Sequence, residues 1–308
     1  MKKQIAIASA ILAATSYSFA EIALTESLSV EGFVDMSYSD NMPGQNDRAV
    51  IGVDQVEFDF LFNAGAVSAQ VDVEYEEGTD GTNIEQAFVT YDLGNGAALT
   101  AGRFASQLGF EAFEPTGLYQ YSTSISGQAL PTYNQGIKYT NGNLGIALVD
   151  GVVTDEVSDG DGYSIEVAYS TDLGNGLNGF IGAVWNDQVD PSDDTYVVDA
   201  YVTYETGAWL FAAELVLEDD GDQTDTAGLL MANYSYSDVA SITGRISLID
   251  DINDENDDKT GSSASAYTLA HNYALADNLA LVAEVSLFDV DGSEDNEVAS
   301  AVELLFTF

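Results

Sequence analysis

The chain has 308 residues and no cysteine, and its 52 Asp and Glu outnumber its 7 Lys and Arg to give a formal net charge of -45. Nucleic acid and anionic lipid headgroups are poor partners for it, because both are bound through basic surface. Disorder is excluded as well: 46% of the residues are hydrophobic and Tyr and Phe are plentiful, so the carboxylates must be segregated from an apolar surface.

The first segment reads Met1-Lys2-Lys3, an apolar run from Ile5 to Ala14, then Ser18-Phe19-Ala20. A charged start, a short apolar core and a small-residue cleavage site predict a secretory signal peptide over residues 1–20, with Glu21 opening the mature chain. The run is shorter than the ~20 residues of a spanning helix, and no second long apolar segment follows. The absence of cysteine suits a chain that crosses an oxidising compartment unfolded. Beyond the leader the positive residues are Arg48, Arg103, Lys138, Arg245 and Lys259.

From residue 21 to 308 the pattern is alternation with period two, in segments of about ten residues, the length of a tilted membrane-spanning strand. Leu28, Val30, Val34, Met36 and Tyr38 share one face, and Ser29, Glu31, Asp35 and Ser37 the other. Val56, Phe58, Phe60 and Phe62 oppose Glu57 and Asp59, while Val67, Val71, Val73 and Tyr75 oppose Gln70, Asp72 and Glu74. Later segments repeat the design around Glu166, Asp199, Glu214, Glu284 and Glu303. The rule is apolar residues outward and carboxylates inward. A soluble β-sandwich also alternates, but its turns are not sorted into two kinds.

Here they are sorted. Short turns occur at Asn63-Ala-Gly65 and after Tyr91, Tyr139, Tyr169, Tyr204, Tyr236 and Tyr273, and between them lie longer, mostly acidic loops. Strict alternation of tight turns and long loops predicts an all-β fold, a transmembrane antiparallel β-barrel of about 16 strands with its short turns on the periplasmic side. The turn tyrosines would form the periplasmic aromatic girdle. In the last segment Val298, Val302, Leu304, Phe306 and Phe308 share one face; Phe306 and the terminal Phe308 are similar to the signal by which outer-membrane barrels are recognised for assembly.

The stretch Gly102-Arg-Phe-Ala-Ser-Gln-Leu-Gly-Phe-Glu111, continuing through Glu114-Pro115, Tyr121-Ser-Thr-Ser124 and Pro131-Thr-Tyr-Asn-Gln-Gly136, resembles the β-barrel porins related to OmpL. A Gly-Arg or Gly-Lys strand end there leads into a Leu-Gly-x-Glu loop and then a Pro-x-x-x-x-Gly strand start. The opening Val30-Glu-Gly-Phe-Val-Asp35 is similar too, and the specific match covers roughly a third of the chain. The resemblance implies an outer-membrane porin, with a homotrimer by analogy with similar porins. Outer-membrane lipid and lipopolysaccharide, the barrel assembly machinery, small solutes and cations are the partners expected.

A porin needs no reacting residue, only a water-filled lumen, a constriction and a field. The longest loop, Ala105 to Pro131, carries Phe110, Phe113, Tyr119 and Tyr121. It is expected to fold into the lumen and narrow it; an outward loop packed on its neighbours is the alternative. Arg103, Lys138 and Arg245 would oppose Glu57, Asp59, Asp72, Glu74, Glu166, Asp199 and Glu214 across the constriction, giving a transverse field and a preference for cations. Acidity of the external loops is equally explained by solubility or a salty habitat.

Asp159-Gly-Asp161-Gly and Asp289-Val-Asp291-Gly-Ser-Glu294-Asp295 resemble fragments of calcium loops but lack the full spacing, so no dedicated metal site and no cofactor are expected. The one histidine, His271, shares a face with Tyr267, Leu269 and Tyr273. A wall phospholipase would need a nucleophilic serine beside it, and Ser265 has no evident orienting partner, so no enzyme is expected. The leading function is passive diffusion of small hydrophilic solutes and ions. The alternatives are a substrate-selective channel, for a sugar for example, and a structural or adhesive barrel with a closed lumen.

Overall fold

A computed structural model describes residues 21–42, 49–76, 83–111, 113–150, 162–187, 195–219, 224–251, 263–290 and 297–308. The expected signal peptide, Arg48, Lys259, Asp159-Gly-Asp161 and most of Asp289 to Asp295 lie outside them.

The strands follow in chain order: β1 Ile22–Ala23, β2 Leu28–Asp40, β3 Val50–Ala64, β4 Val67–Glu76, β5 Asn83–Gly94 and β6 Ala97–Ala105. Next come β7 Tyr133–Asn141, β8 Leu144–Asp150, β9 Tyr163–Gly174, β10 Leu177–Asp187, β11 Thr195–Thr206 and β12 Trp209–Asp219. The last are β13 Thr224–Ser237, β14 Ala240–Asp251, β15 Ala264–Ala276, β16 Leu279–Val290 and β17 Glu297–Thr307. From β2 onward each strand pairs antiparallel with the next, and β17 returns to pair with β2. The result is a closed ring of 16 strands, in agreement with the count of turns and loops; the two-residue β1 adds a short pairing to β2. Closure leaves no unpaired strand edge, which a sheet in hydrocarbon requires.

Local chemistry explains the tight turns. The sequence Asp-Leu-Gly-Asn-Gly occurs twice, and in both copies the Asn-Gly pair has positive φ, 56° and 82° at Asn95-Gly96 and 57° and 82° at Asn175-Gly176. These are the values a two-residue hairpin turn of matching twist demands, and Asn and Gly adopt them at least cost. The leading Asp accepts the N–H two residues on, at 2.7 Å, in both copies.

The outer face is apolar and open. Ile137 is 53% exposed and Leu148 54%, which is stable in lipid rather than water. Tyr91, Tyr139, Tyr169, Tyr204, Tyr236 and Tyr273 are all exposed at the short-turn ends, where amphipathic rings favour the membrane interface.

The seam between β17 and β2 is locked at one residue pair. Gly32 N–H donates to the Phe308 carbonyl at 2.9 Å, and Phe308 N–H donates back to the Gly32 carbonyl at 3.0 Å. A Cβ on Gly32 would lie 2.2 Å from the Glu57 carbonyl oxygen and 3.0 Å from the Phe308 ring. Gly32→Ala is therefore expected to destabilise the barrel by about 1–3 kcal/mol through overpacking, read as a lower urea midpoint for unfolding; an unchanged midpoint would show that the seam relaxes freely.

The inner face departs from the simple alternation. Val184, Val197, Leu210, Val216, Leu229 and Met231 are apolar yet buried on the lumen side of β10 to β13. The reason is that a chain segment covers them.

Candidate functional site

That segment is the connection between β6 and β7, which lies inside the barrel. It holds two short 3-10 turns, Pro115–Gly117 and Ile125–Ala129. Leu108, Ala129 and Leu130 pack on Val184, Val197 and Val216, while Tyr119 packs with Leu210, Ala212, Leu229 and Met231. Burial of these side chains supplies the non-directional part of the docking.

Wall carboxylates supply the direction. Glu166 on β9 accepts from Ser106 Oγ at 2.8 Å, from the Gln107 N–H at 2.9 Å and side-chain amide at 2.8 Å, and from Asn134 at 3.0 Å. Asp199 on β11 accepts the Gly109 N–H at 2.8 Å, and Glu214 on β12 accepts the Phe110 N–H at 2.5 Å. Glu284 on β16 accepts the N–H groups of Tyr121 and Ser122 at 2.8 and 3.0 Å, and the Ser122 hydroxyl at 2.6 Å. An irregular segment has backbone donors with no ladder to join, and carboxyl oxygens on the wall take the place of the missing acceptors.

Arg245 on β14 completes the row. Its Nη1 donates to both Glu111 carboxylate oxygens, at 2.8 and 3.1 Å, and to the Ser122 carbonyl at 2.8 Å. Its Nη2 donates to Ser122 Oγ at 2.9 Å and the Thr123 carbonyl at 3.2 Å. Thr243 and Asn272 both donate to the Tyr119 carbonyl, at 2.8 and 2.7 Å. The loop is thus pinned along β9, β11, β12, β14, β15 and β16, and Tyr121 Oη reaches Ser37 on β2 at 3.1 Å.

The expected constriction residues therefore divide. Glu166, Asp199, Glu214 and Arg245 hold the loop, and Arg245 is matched by Glu111. Of the four loop aromatics, Phe110 and Tyr119 pack with the β12 and β13 wall, and Tyr121 packs near Ala299 and Ala301; burial pushes the Tyr121 phenol up to about 12. Phe113 lines a cavity of about 740 Å³ together with Gln55, Glu74, Glu85, Arg103 and Glu111, and its ring lies 5.6 Å from Tyr133.

The opposite wall carries the remaining carboxylates. Glu57 stands directly across from Glu74, and Asp59 across from Asp72, on β3 and β4. Arg103 donates through Nε to the Glu85 carbonyl at 2.7 Å and lies 5.5 Å from the Tyr133 ring centre. Lys138 sits 4.3 Å over Phe104 and shares a row with Ala147 and Glu166 across β7, β8 and β9. Glu114 accepts from Tyr133 at 3.0 Å and Gln55 at 3.1 Å, and burial raises its carboxyl above the ordinary range. His271, on the outer face, contacts Tyr236 Oη at 2.6 Å.

Alternation alone missed Glu85, Glu111 and Glu114. A register shift at Asp72/Val73 brings both Glu85 and Gln86 to the lumen, and such a bulge has no simple sequence mark. Glu111 had one: it is the Glu of the Leu-Gly-x-Glu motif, and it is the partner of Arg245. The motif's glycines are backbone requirements as well. Gly109 has φ of 103°, and a Cβ on Gly136 would lie 2.2 Å from the Leu148 carbonyl oxygen.

Comparison with known proteins gives one family. The model of "Putative beta-barrel porin-2, OmpL-like" matches residues 48–308. A search of curated proteins finds no match. Among solved structures, OmpT of Vibrio cholerae folded in vitro is similar at a TM-score of 0.65 with 13% identity, over 94% of this chain and 100% of that one. High-pH OprB of Pseudomonas putida gives 0.69 and 10%, over 92% and 94%. Salmonella typhi OmpF in complex with daunomycin gives 0.68 and 12%, over 94% and 100%. At these identities the structures speak for the fold, and the family match for the rest: the chain is an outer-membrane β-barrel and belongs to the OmpL-like β-barrel porin family.

Proposed function

We propose that this porin is a passive diffusion channel for small hydrophilic solutes and ions, with a preference for cations and no enzymatic activity. The observation that carries the preference is the cavity between the loop and β3 to β6: Glu74, Glu85 and Glu214 line it beside the Arg245-paired Glu111, against Arg103 as the one cationic lining residue among the described residues. With 16 strands the interior is too wide for wall side chains to fill. A carboxylate-lined passage raises the local cation concentration. Arg245 contributes little to this field, because Glu111 neutralises it at 2.8 Å.

The decisive measurement is the reversal potential of single channels in a planar bilayer under a potassium chloride gradient. A cation-selective potential is expected, moving toward zero in the Glu74→Gln/Glu85→Gln variant and flattening at 1 M salt, where the screening length falls to about 3 Å. Anion selectivity would overturn the preference; absence of conductance would overturn the channel.

The reading extends to the rest of the chain's life. Residues 1–20 direct export and are removed, leaving 21–308 for the barrel assembly machinery to insert among outer-membrane lipid and lipopolysaccharide. A trimeric form of Vibrio cholerae OmpT is among the structures it resembles, which supports a homotrimer here.

A further inference from the structure

The carboxylates of β3 and β4 are arranged in a way that electrostatics alone disfavours. Asp59 and Asp72 are direct cross-strand partners, Glu57 and Glu74 are the next inward pair, and Glu31 lies across from Asp59 on the other side. Like charges directly opposite one another destabilise a sheet, and here they are stacked two rows deep. Arg245 on β14 pairs with Glu111, and among the described residues no ion pair reaches Glu57, Asp59 or Asp72.

We propose that Glu57, Asp59 and Asp72 form a binding site for a hard divalent cation, Ca²⁺ in preference to Mg²⁺. One oxygen from each of the three carboxylates falls within 4.8 Å of the others. Ca²⁺ accepts several carboxylate oxygens at about 2.3–2.6 Å in flexible geometry, whereas Mg²⁺ keeps most of its waters and takes only one or two carboxylates. Asp72 supplies the independent sign of a missing ligand. It is fully buried, and Gln70 and Gln86 donate to its Oδ2 at 2.9 and 2.7 Å. Among the described residues no donor reaches its buried Oδ1, nor Oδ1 of Asp59, which is 9% exposed. A buried acceptor left unmatched carries its full desolvation cost; a cation between the two strands removes that cost and the repulsion together.

The site lies in mid-strand on β3 and β4, close to Gln55, which donates to Glu114 of the docked loop at 3.1 Å, so an ion held there reduces the negative charge that the channel presents to other cations. Access for the ion rests on the reading of the lumen as water-filled, but binding is measurable without conduction. The test is calorimetric titration of calcium chloride into the folded barrel in detergent, comparing the wild type with Asp59→Asn/Asp72→Asn and with Glu57→Gln. Amides keep the side-chain volumes, and heat-modifiable mobility reports folding. The expected result is one saturable site in the wild type that either variant weakens at least tenfold, while magnesium chloride competes poorly. Binding of equal affinity and stoichiometry in the wild type and both variants would assign the calcium to the acidic loops and overturn the proposal, as would no saturable binding at all. Loss of conductance with calcium binding intact would instead count against the channel.

Discussion

Replacing Arg245 with Ala is expected to release the lumen loop, raising single-channel conductance and replacing a steady current with flicker. Arg245 is 2% exposed, and its guanidinium gathers Glu111, Ser122 and Thr123 onto β14. Removing it leaves the Glu111 carboxylate, 10% exposed, without its counter-charge, although the Gln120 amide and the Ser124 N–H still donate to it. Breaking one side of a buried pair typically costs about 3–5 kcal/mol. Here the ring of strand pairings does not depend on the pair, so the cost falls on loop docking, and the barrel itself should still fold. Arg245→Lys keeps the charge but loses the planar fork that serves Glu111 and the two carbonyl groups at once, so it should flicker more than the wild type and less than the alanine variant. Adding Glu111→Gln to Arg245→Ala should restore part of the docking, because the stranded group is then neutral. Bilayer recordings of the variants make the comparison; a steady current of wild-type size from Arg245→Ala would show that the carboxylate acceptors and the apolar packing hold the loop unaided.

Deletion of Phe308 is expected to lower the yield of folded barrel several-fold. The residue closes the seam twice over: through its two backbone bonds to Gly32, at 2.9 and 3.0 Å, and through its ring, 5.3 Å from Phe58 and 5.9 Å from Phe306. Such ring pairs add about 0.5–1.5 kcal/mol beyond their area, and each backbone bond a further ~0.5–1.5 kcal/mol net. Phe308→Ala separates the contributions, since it keeps the bonds and loses the ring. If the deletion hurts in vitro refolding into detergent as much as insertion in cells, the seam is the cause. If refolding is normal and only cellular insertion fails, Phe308 acts as a recognition signal. A normal yield in both settings would dismiss both roles.

Strand number, turn type and the outer face were legible in the sequence because each rests on local rules. Alternation is a property of neighbouring residues, and Asn95-Gly96 and Asn175-Gly176 select their turn from their own backbone preferences. The lumen was legible to the point of which residues point inward, but not of what they do there. Glu166 and Asp72 look the same in sequence, each an acid in an alternating strand. One accepts the backbone N–H of a loop residue 59 positions earlier, Gln107, and the other faces a second carboxylate. Arg245 finds its counter-charge 134 residues away. The path of an irregular loop across a closed ring is set by the sum of its contacts with several strands, and no short window of sequence contains that sum. For this reason the sequence shows which acids point inward, while only the folded chain separates those that hold the loop, such as Glu166 and Glu284, from those that face another carboxylate, such as Asp59 and Asp72.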